Sequence, residues 1–215
     1  MQPLRFHKAI LCVLALSTAA MFTGCGPQGY ATPDDAYNAS QVAVMAGDYG
    51  KLADCFTPDG QQQTAGGLVM SVAVFKSLSK LAGLQGPAAA KKAEEKIGPL
   101  AAVLNRHGIS DEKMLELSKG VGFGGFGNTK AANEKAGELV TNKRAFISDM
   151  FTAFSKISEA EGKSPAEAFK GELQDVQIDG DTASGSIFNA KGKNKKQPIT
   201  FKKVDGKGWL IHFNQ

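Results

Sequence analysis

Residues 173–214 read LQDVQIDGDTASGSIFNAKGKNKKQPITFKKVDGKGWLIHFN, and how this stretch is read decides the fold. It divides into four strands at 173–178, 182–190, 197–205 and 209–214. The breaks are Asp179-Gly180-Asp181, a basic turn over 191–196, and Gly206-Lys207-Gly208. Asp-Gly and Gly-x-Gly supply the positive φ angles of tight hairpins. Successive strand residues point to opposite faces. One face therefore collects Val176, Ile178, Ala183, Ile187, Ile199, Phe201, Trp209, Ile211 and Phe213. The other collects Asp175, Gln177, Ser184, Ser186, Thr200, Lys202, His212 and Asn214. This is the pattern of a half-buried antiparallel meander with one wet face.

Apolar helices elsewhere in the chain need that dry face, and the helix signals begin soon after residue 31. Thr32 is placed to cap, Pro33 suits the first helical position, and Asp34 and Asp35 favour the positive end of the helix dipole. Ala36, Tyr37, Ala39, Ala43 and Val44 form its stripe, and Gly47 stops it. A short helix at 48–55 offers Tyr49, Leu52 and Phe56, and Thr57-Pro58-Asp59-Gly60 reads as a turn. Residues 61–170 read as mostly helical. Leu68, Val72, Phe75 and Ala82 lie on one stripe and Met70, Val74, Leu78 and Leu81 on the next, predicting a wide buried face. A strand is the rival reading for 68–75, but the pattern runs on to Leu84. Gly86-Pro87 ends this helix, 87–97 forms another, Pro99 restarts a third to Arg106, and His107-Gly108 closes it. Ser110 caps a short helix. A long one over 142–159 carries Phe146, Ile147, Met150, Phe151, Phe154 and Ile157, and Ser164-Pro165 opens a last turn.

The first 24 residues read as a targeting segment. Arg5 and Lys8 precede an apolar run over 10–22 that is short for a membrane span. The run ends in Phe22-Thr23-Gly24-Cys25, which resembles a bacterial lipobox with Phe where Leu is usual. That resemblance implies cleavage after Gly24 and a lipid on Cys25. The alternatives are an ordinary secretory signal or an uncleaved anchor. Gly26, rather than Asp, follows the Cys, which favours the periplasmic face of the outer membrane. Residues 25–31 form the tether and 32–215 a single α+β domain, which 215 residues suffice to core. Losing Arg5 and Lys8 takes two from the 25 basic residues and none from the 21 acidic ones, lowering the net charge from +4 to +2. A charge so small gives no ground for nucleic acid as partner. Cys12 leaves with the signal and Cys25 carries lipid, so Cys55 stands alone among apolar neighbours as a structural thiol.

Two separated pieces carry a family resemblance. One is Thr32-Pro33-Asp34-Asp35-Ala36 leading to Ala46-Gly47-Asp48-Tyr49. The other is Asp179-Gly180-Asp181-Thr182-Ala183, then the run from Ile199 to Gly206, then Trp209-Leu210-Ile211. Together they resemble small secreted lipoproteins of the NTF2-like (cystatin-like, SnoaL-like) superfamily, over roughly 32–56 and 173–214. The resemblance implies a helical hairpin packed into a curved antiparallel sheet, with a cone-shaped cavity lined by Tyr37, Tyr49, Ile187, Phe201, Trp209, Ile211 and Phe213. Residues 61–170 depart from it as a long helical insertion.

Members of that superfamily that are isomerases or dehydratases use Asp or His with Tyr inside the cone. Here the dry face carries no acid and no His, with Asp175 and His212 on the wet face. Acid–base chemistry needs a titratable group held at its proton, and none converges. The Gly-rich segment 121–128, with Phe123 and Phe126, lacks the preceding strand and the spaced Lys or Ser/Thr of a phosphate loop. It reads as a loop dipping two rings into the core, or as a lip for a ligand. Lys191, Lys193, Lys195 and Lys196, with Lys202 and Lys203, form the one basic cluster, read as solvated edge protection or as contact with anionic envelope polymers. No aromatic interleaves with it, as single-stranded nucleic acid would require. Three His and a lone Cys make no metal set, and no cofactor motif is present. The expectation is a membrane-anchored envelope lipoprotein that binds a small apolar ligand or a protein partner without catalysis. The alternative is an isomerase- or hydrolase-type enzyme working in the cone.

Overall fold

The computed structural model describes residues 29–82, 84, 86–121, 129–164, 170–188 and 196–213. Cys25, the targeting segment, residues 122–128 of the Gly-rich segment, the turn opened by Pro165, and Lys191, Lys193 and Lys195 lie outside the described residues. The fold is α+β. Among the described residues, helices α1 (Pro33–Met45), α2 (Tyr49–Asp54), α3 (Pro58–Ala82), α4 (Pro87–Arg106), α5 (Asp111–Val121), α6 (Thr129–Glu138) and α7 (Lys143–Ala160) precede the sheet. Strands β1 (Glu172–Asp179), β2 (Thr182–Phe188), β3 (Lys196–Val204) and β4 (Gly208–His212) follow in the order β1-β2-β3-β4, every pair antiparallel.

The meander is the one expected. Gly180, Gly206 and Gly208 take positive φ at its hairpins. Ala183, Phe201 and Ile211 stand opposite one another across three strands as the central dry rung, all buried. Alternation is interrupted once. Asp175 has φ +56° at a bulge between Gln174 and Gln177, so Leu173 falls into register with Ile187 and joins the dry side. One correction and one new observation follow. Ile178, assigned to the dry face, is 60% exposed, and Leu210, assigned to neither face, is only 3% exposed. The position of α1 explains the first. Tyr30, just before α1, pairs with Gly208 and Trp209, whereas the Tyr37 hydroxyl donates to Gly171 O at 3.1 Å. The helix therefore runs diagonally from the start of β4 to the start of β1, leaving the far corner of β1 uncovered.

The outer edge of β4 is closed by chain rather than left open. Trp209 N donates to Tyr30 O (2.8 Å), Ile211 N to Cys55 O (2.9 Å) and Thr57 N to Ile211 O (2.9 Å). This edge also explains the largest local correction. Thr57-Pro58-Asp59-Gly60 is not a free turn but the start of α3: Thr57 Oγ1 accepts from Gly60 N at 2.9 Å, and Pro58 is the first helical residue. Thr32 caps α1 as read, in a reciprocal capping box with Asp35, and Asp48 and Asn142 cap α2 and α7. Pro99 does not restart a helix; it lies inside α4. An interior proline costs about 3 kcal/mol, and the buried Leu100, Val103 and Leu104 just beyond it hold the helix in place.

The helices do not all lie on the sheet. Ala36, Tyr37 and Val44 of α1, Tyr49 and Leu52 of α2, and Phe56 just after it form one apolar cluster with Phe201, Trp209 and Ile211. The later helices build a second cluster of their own around Val69, Val72, Val103, Leu104, Phe146, Ile147 and Met150. α3 is accordingly buried along Ala65, Val69 and Val72, while Val74, Phe75 and Leu78 of the expected wide face are exposed.

The tightest approach in the second cluster is between α3 and α6. A Cβ on Gly66 would lie 1.7 Å from Asn133 O, and one on Gly137 would lie 2.3 Å from Gln62 O. Glycine is therefore the residue that lets these backbones meet, and Gln62 Nε2 donates to Glu134 O at 2.8 Å across the crossing. The neighbouring Gly67 has room, its nearest atom being Asn133 Nδ2 at 3.7 Å. Gly66→Ala is expected to destabilise the protein by about 1–3 kcal/mol through overpacking. Gly67→Ala is expected to stabilise it by about 0.5–1 kcal/mol through helix propensity. Urea unfolding of the two variants checks the pair; equal midpoints would mean that the helices do not cross this closely.

Candidate functional site

The aromatic and aliphatic residues expected to line a cone come together, but as packing. Tyr37, Tyr49, Phe201, Trp209 and Ile211 are buried in the sheet cluster, with Ile187 and Phe213 packed against it. Phe56 meets Phe213 edge-on at 5.2 Å between ring centres, and Tyr49 stacks on Phe151 at 5.6 Å. Tyr37 is tied by its hydroxyl to Gly171 O, and Gln41 Nε2 donates both to Tyr37 Oη (3.1 Å) and to Gly171 O (2.7 Å). Burial raises the Tyr37 pKa, and the Gln41 bond opposes this. A phenol held neutral and bonded to backbone serves as an anchor between α1 and the start of β1.

The polar residues of the sheet are likewise engaged. Asp175, at the bulge, accepts from Lys196 Nζ at 2.6 Å on the surface. His212 Nδ1 lies 3.1 Å from Thr57 Oγ1. That oxygen already accepts from Gly60 N, so its one proton is available to the imidazole. The pair thus fastens the start of α3 to the end of β4. Cys55 is buried, its Sγ 3.3 Å from Lys51 O and 3.2 Å from the Tyr30 hydroxyl. A second polar knot, unforeseen in the sequence, joins α4 to α7: Asp149 accepts from Arg106 Nη1 at 2.9 Å and lies 3.1 Å from His107 Nε2, whose ring packs edge-on against Phe146. Only the antiparallel packing of two helices 40 residues apart brings these groups together. Among the described residues, no group of three or more His, Cys, Asp and Glu is placed to hold a metal ion.

The open feature lies elsewhere, where α3, α4 and α7 diverge. A cleft of about 420 Å³ is lined by Phe75, Leu78 and Ser79 of α3, Ala93, Lys96, Ile97 and Leu100 of α4, and Phe154, Ile157 and the adjoining Glu161 of α7. Phe75 and Leu78 are 44% and 53% exposed, unusual for such side chains on a packed helix. Charge sits at one place only. Glu161 pairs with Lys96 of α4 and, at 2.9 Å, with Lys163. These bonds, that to Lys163 first, pull the Glu161 pKa from 4.5 down to about 2. The sequence did carry a trace of the cleft: α3 has more apolar residues than one buried face can use, and the surplus forms one wall.

No family model matches this sequence, and no curated protein or solved structure matches it either. The site is therefore read from its own chemistry. It offers carbon walls and one ionic rim.

The rim has a consequence for acid stability. A carboxylate whose folded pKa is depressed contributes fully above its unfolded value and loses that contribution as pH falls through the folded one. Glu161→Gln is therefore expected to lower Tm slightly at neutral pH, the gap to wild type closing between pH 4.5 and about 2. Calorimetric scans of both proteins across that range check it; a gap that widens on acidification would contradict the pairing.

Proposed function

We propose that this chain is a lipid-anchored protein of the bacterial cell envelope. In this reading Cys25 carries the lipid, and the folded part is a non-enzymatic binding module for a small apolar ligand or for an apolar segment of a protein partner. The observation that carries the binding role is the cleft between α3, α4 and α7, with Phe75 and Leu78 left in water beside it. Its volume falls within the range of about 300–1,000 Å³ typical of small-molecule sites, and its walls are apolar as such sites are. The pairing of helices α1 and α2 with a four-stranded antiparallel meander supports an NTF2-like ancestry for the sheet half. The ligand would then sit in the helical insertion rather than in the cone, where aromatic packing occupies the ground.

The order of Arg5 and Lys8, an apolar run and Phe22-Thr23-Gly24-Cys25 supports the anchor. Among the described residues no helix is long and apolar enough to cross a membrane. In this account attachment rests on the acyl chains of Cys25. Two chains hold a protein stably where one does not. The periplasmic face of the outer membrane is the favoured location.

Two experiments address the two halves of the proposal. Cys25→Ala is expected to move the protein out of the detergent phase on phase partitioning, or to leave the precursor uncleaved; unchanged partitioning of a processed chain would remove the anchor. For binding, the chain purified from membranes is expected to carry a stoichiometric apolar compound, detected by mass spectrometry of an organic extract. Ala93→Trp, which fills the cleft from α4, should abolish it. An extract without such a compound, or one unchanged by Ala93→Trp, would count against the cleft as the site.

A further inference from the structure

We propose that the ligand of this cleft is a fatty acid, its alkyl chain lying between α3, α4 and α7 and its carboxylate at Lys96 and Lys163. The inference rests on the binding role argued above and adds the chemistry of the ligand. Its first support is the polarity of the cleft. Lys96 pairs with Glu161 and Arg106 with Asp149, so α4 and α7 run antiparallel. On α7 the charged Glu161 thus lies at one end of the lining and Phe154, packed on the core, at the other; on α4 its partner Lys96 lies between Ala93 and the buried Leu100. From Ala93 to Leu100, and from Phe154 to Glu161, the lining covers seven residues of helix, about 10 Å. A ligand complementary to this site is a rod with an apolar shaft and one polar end.

Charge decides the head group. The rim holds two ammonium groups against one carboxylate, Lys96 and Lys163 against Glu161. Each ammonium has three N–H donors, and the side chain of Lys96 is half open to solvent and that of Lys163 largely so. A second carboxylate brought to this rim completes two ion pairs instead of leaving a surplus positive charge, whereas a cationic head would add to the surplus. Size decides the number of chains. At about 420 Å³ the cleft is at the small end of ligand sites, room for one alkyl chain rather than two.

The test is photolabelling of membranes containing the full chain. One probe is a fatty acid with a diazirine near its methyl end; the other is the alcohol of the same length with the same diazirine. After irradiation and digestion, the acid is expected to label peptides within 75–100 and 154–161 at least fivefold more than the alcohol does. Lys96→Gln combined with Lys163→Gln should bring the acid down to the level of the alcohol. Equal labelling of these peptides by both probes in the wild-type chain would overturn the fatty-acid assignment while leaving an apolar ligand in place. Labelling of the cleft by neither probe would overturn both. Because the acid and the alcohol are compared on the unaltered protein, the outcome does not depend on how the variants fold.

Discussion

Helix α7 must bury apolar surface on two sides, and the rest of the molecule is arranged around that need. Phe146, Ile147 and Met150 are fully buried in the helical cluster. Phe151, the next residue along, packs against that cluster and also against the sheet cluster, stacking on Tyr49 of α2. Burying a side chain of this size stabilises by about 1.5–3 kcal/mol, and four successive inward-facing residues of one helix make this its dominant energy. Polar contacts set the angle. Arg144 grips Asp54 of α2 with two bonds at 2.7 and 2.9 Å, and Asp149 meets Arg106 and His107 of α4. These are partly exposed pairs worth little individually, so their part is orientation.

That arrangement accounts for the place of the cleft. α7 is drawn against α2 at its start, and α4 follows it antiparallel. Beyond Met150 it has less to pack on, and Phe154 and Ile157 are only partly covered. Across the gap, α3 ends with Phe75 and Leu78 in solvent. The sheet half, in contrast, is closed on itself: α1 lies across the meander, and backbone from Tyr30, Cys55 and Thr57 seals the β4 edge. The apolar surface left over at the cleft is thus in the helical half and not in the sheet.

Features encoded in a few adjacent residues were legible in the sequence. Thr32-Pro33-x-Asp35 announced the start of α1, the glycines of the meander announced its hairpins, and the spacing from Phe146 to Ile157 announced α7. Where one local signal serves two structures, distant atoms made the choice. Thr57-Pro58-Asp59-Gly60 fits a turn or a capped helix start, and the bond from Thr57 N to Ile211 O selects the second. Pro99 is a breaker by itself and is overruled by three buried residues after it. Alternation put Phe201, Trp209 and Ile211 on one face of the sheet, and they are buried there, but alternation cannot tell a lined cavity from a filled one. The cleft was hardest to see because its three walls come from Phe75, Ile97 and Ile157, residues far apart in the chain.

The central claim is that α7 makes the sheet cluster and the helical cluster stand or fall together. Trp209 is the one tryptophan and belongs to the sheet cluster, whereas the far-ultraviolet dichroism comes mainly from the helices. Urea unfolding followed by both signals on the same samples tests this most directly. Shared burial of α7 predicts superimposable transitions with one midpoint. A Trp209 transition well separated from the loss of helix would contradict it.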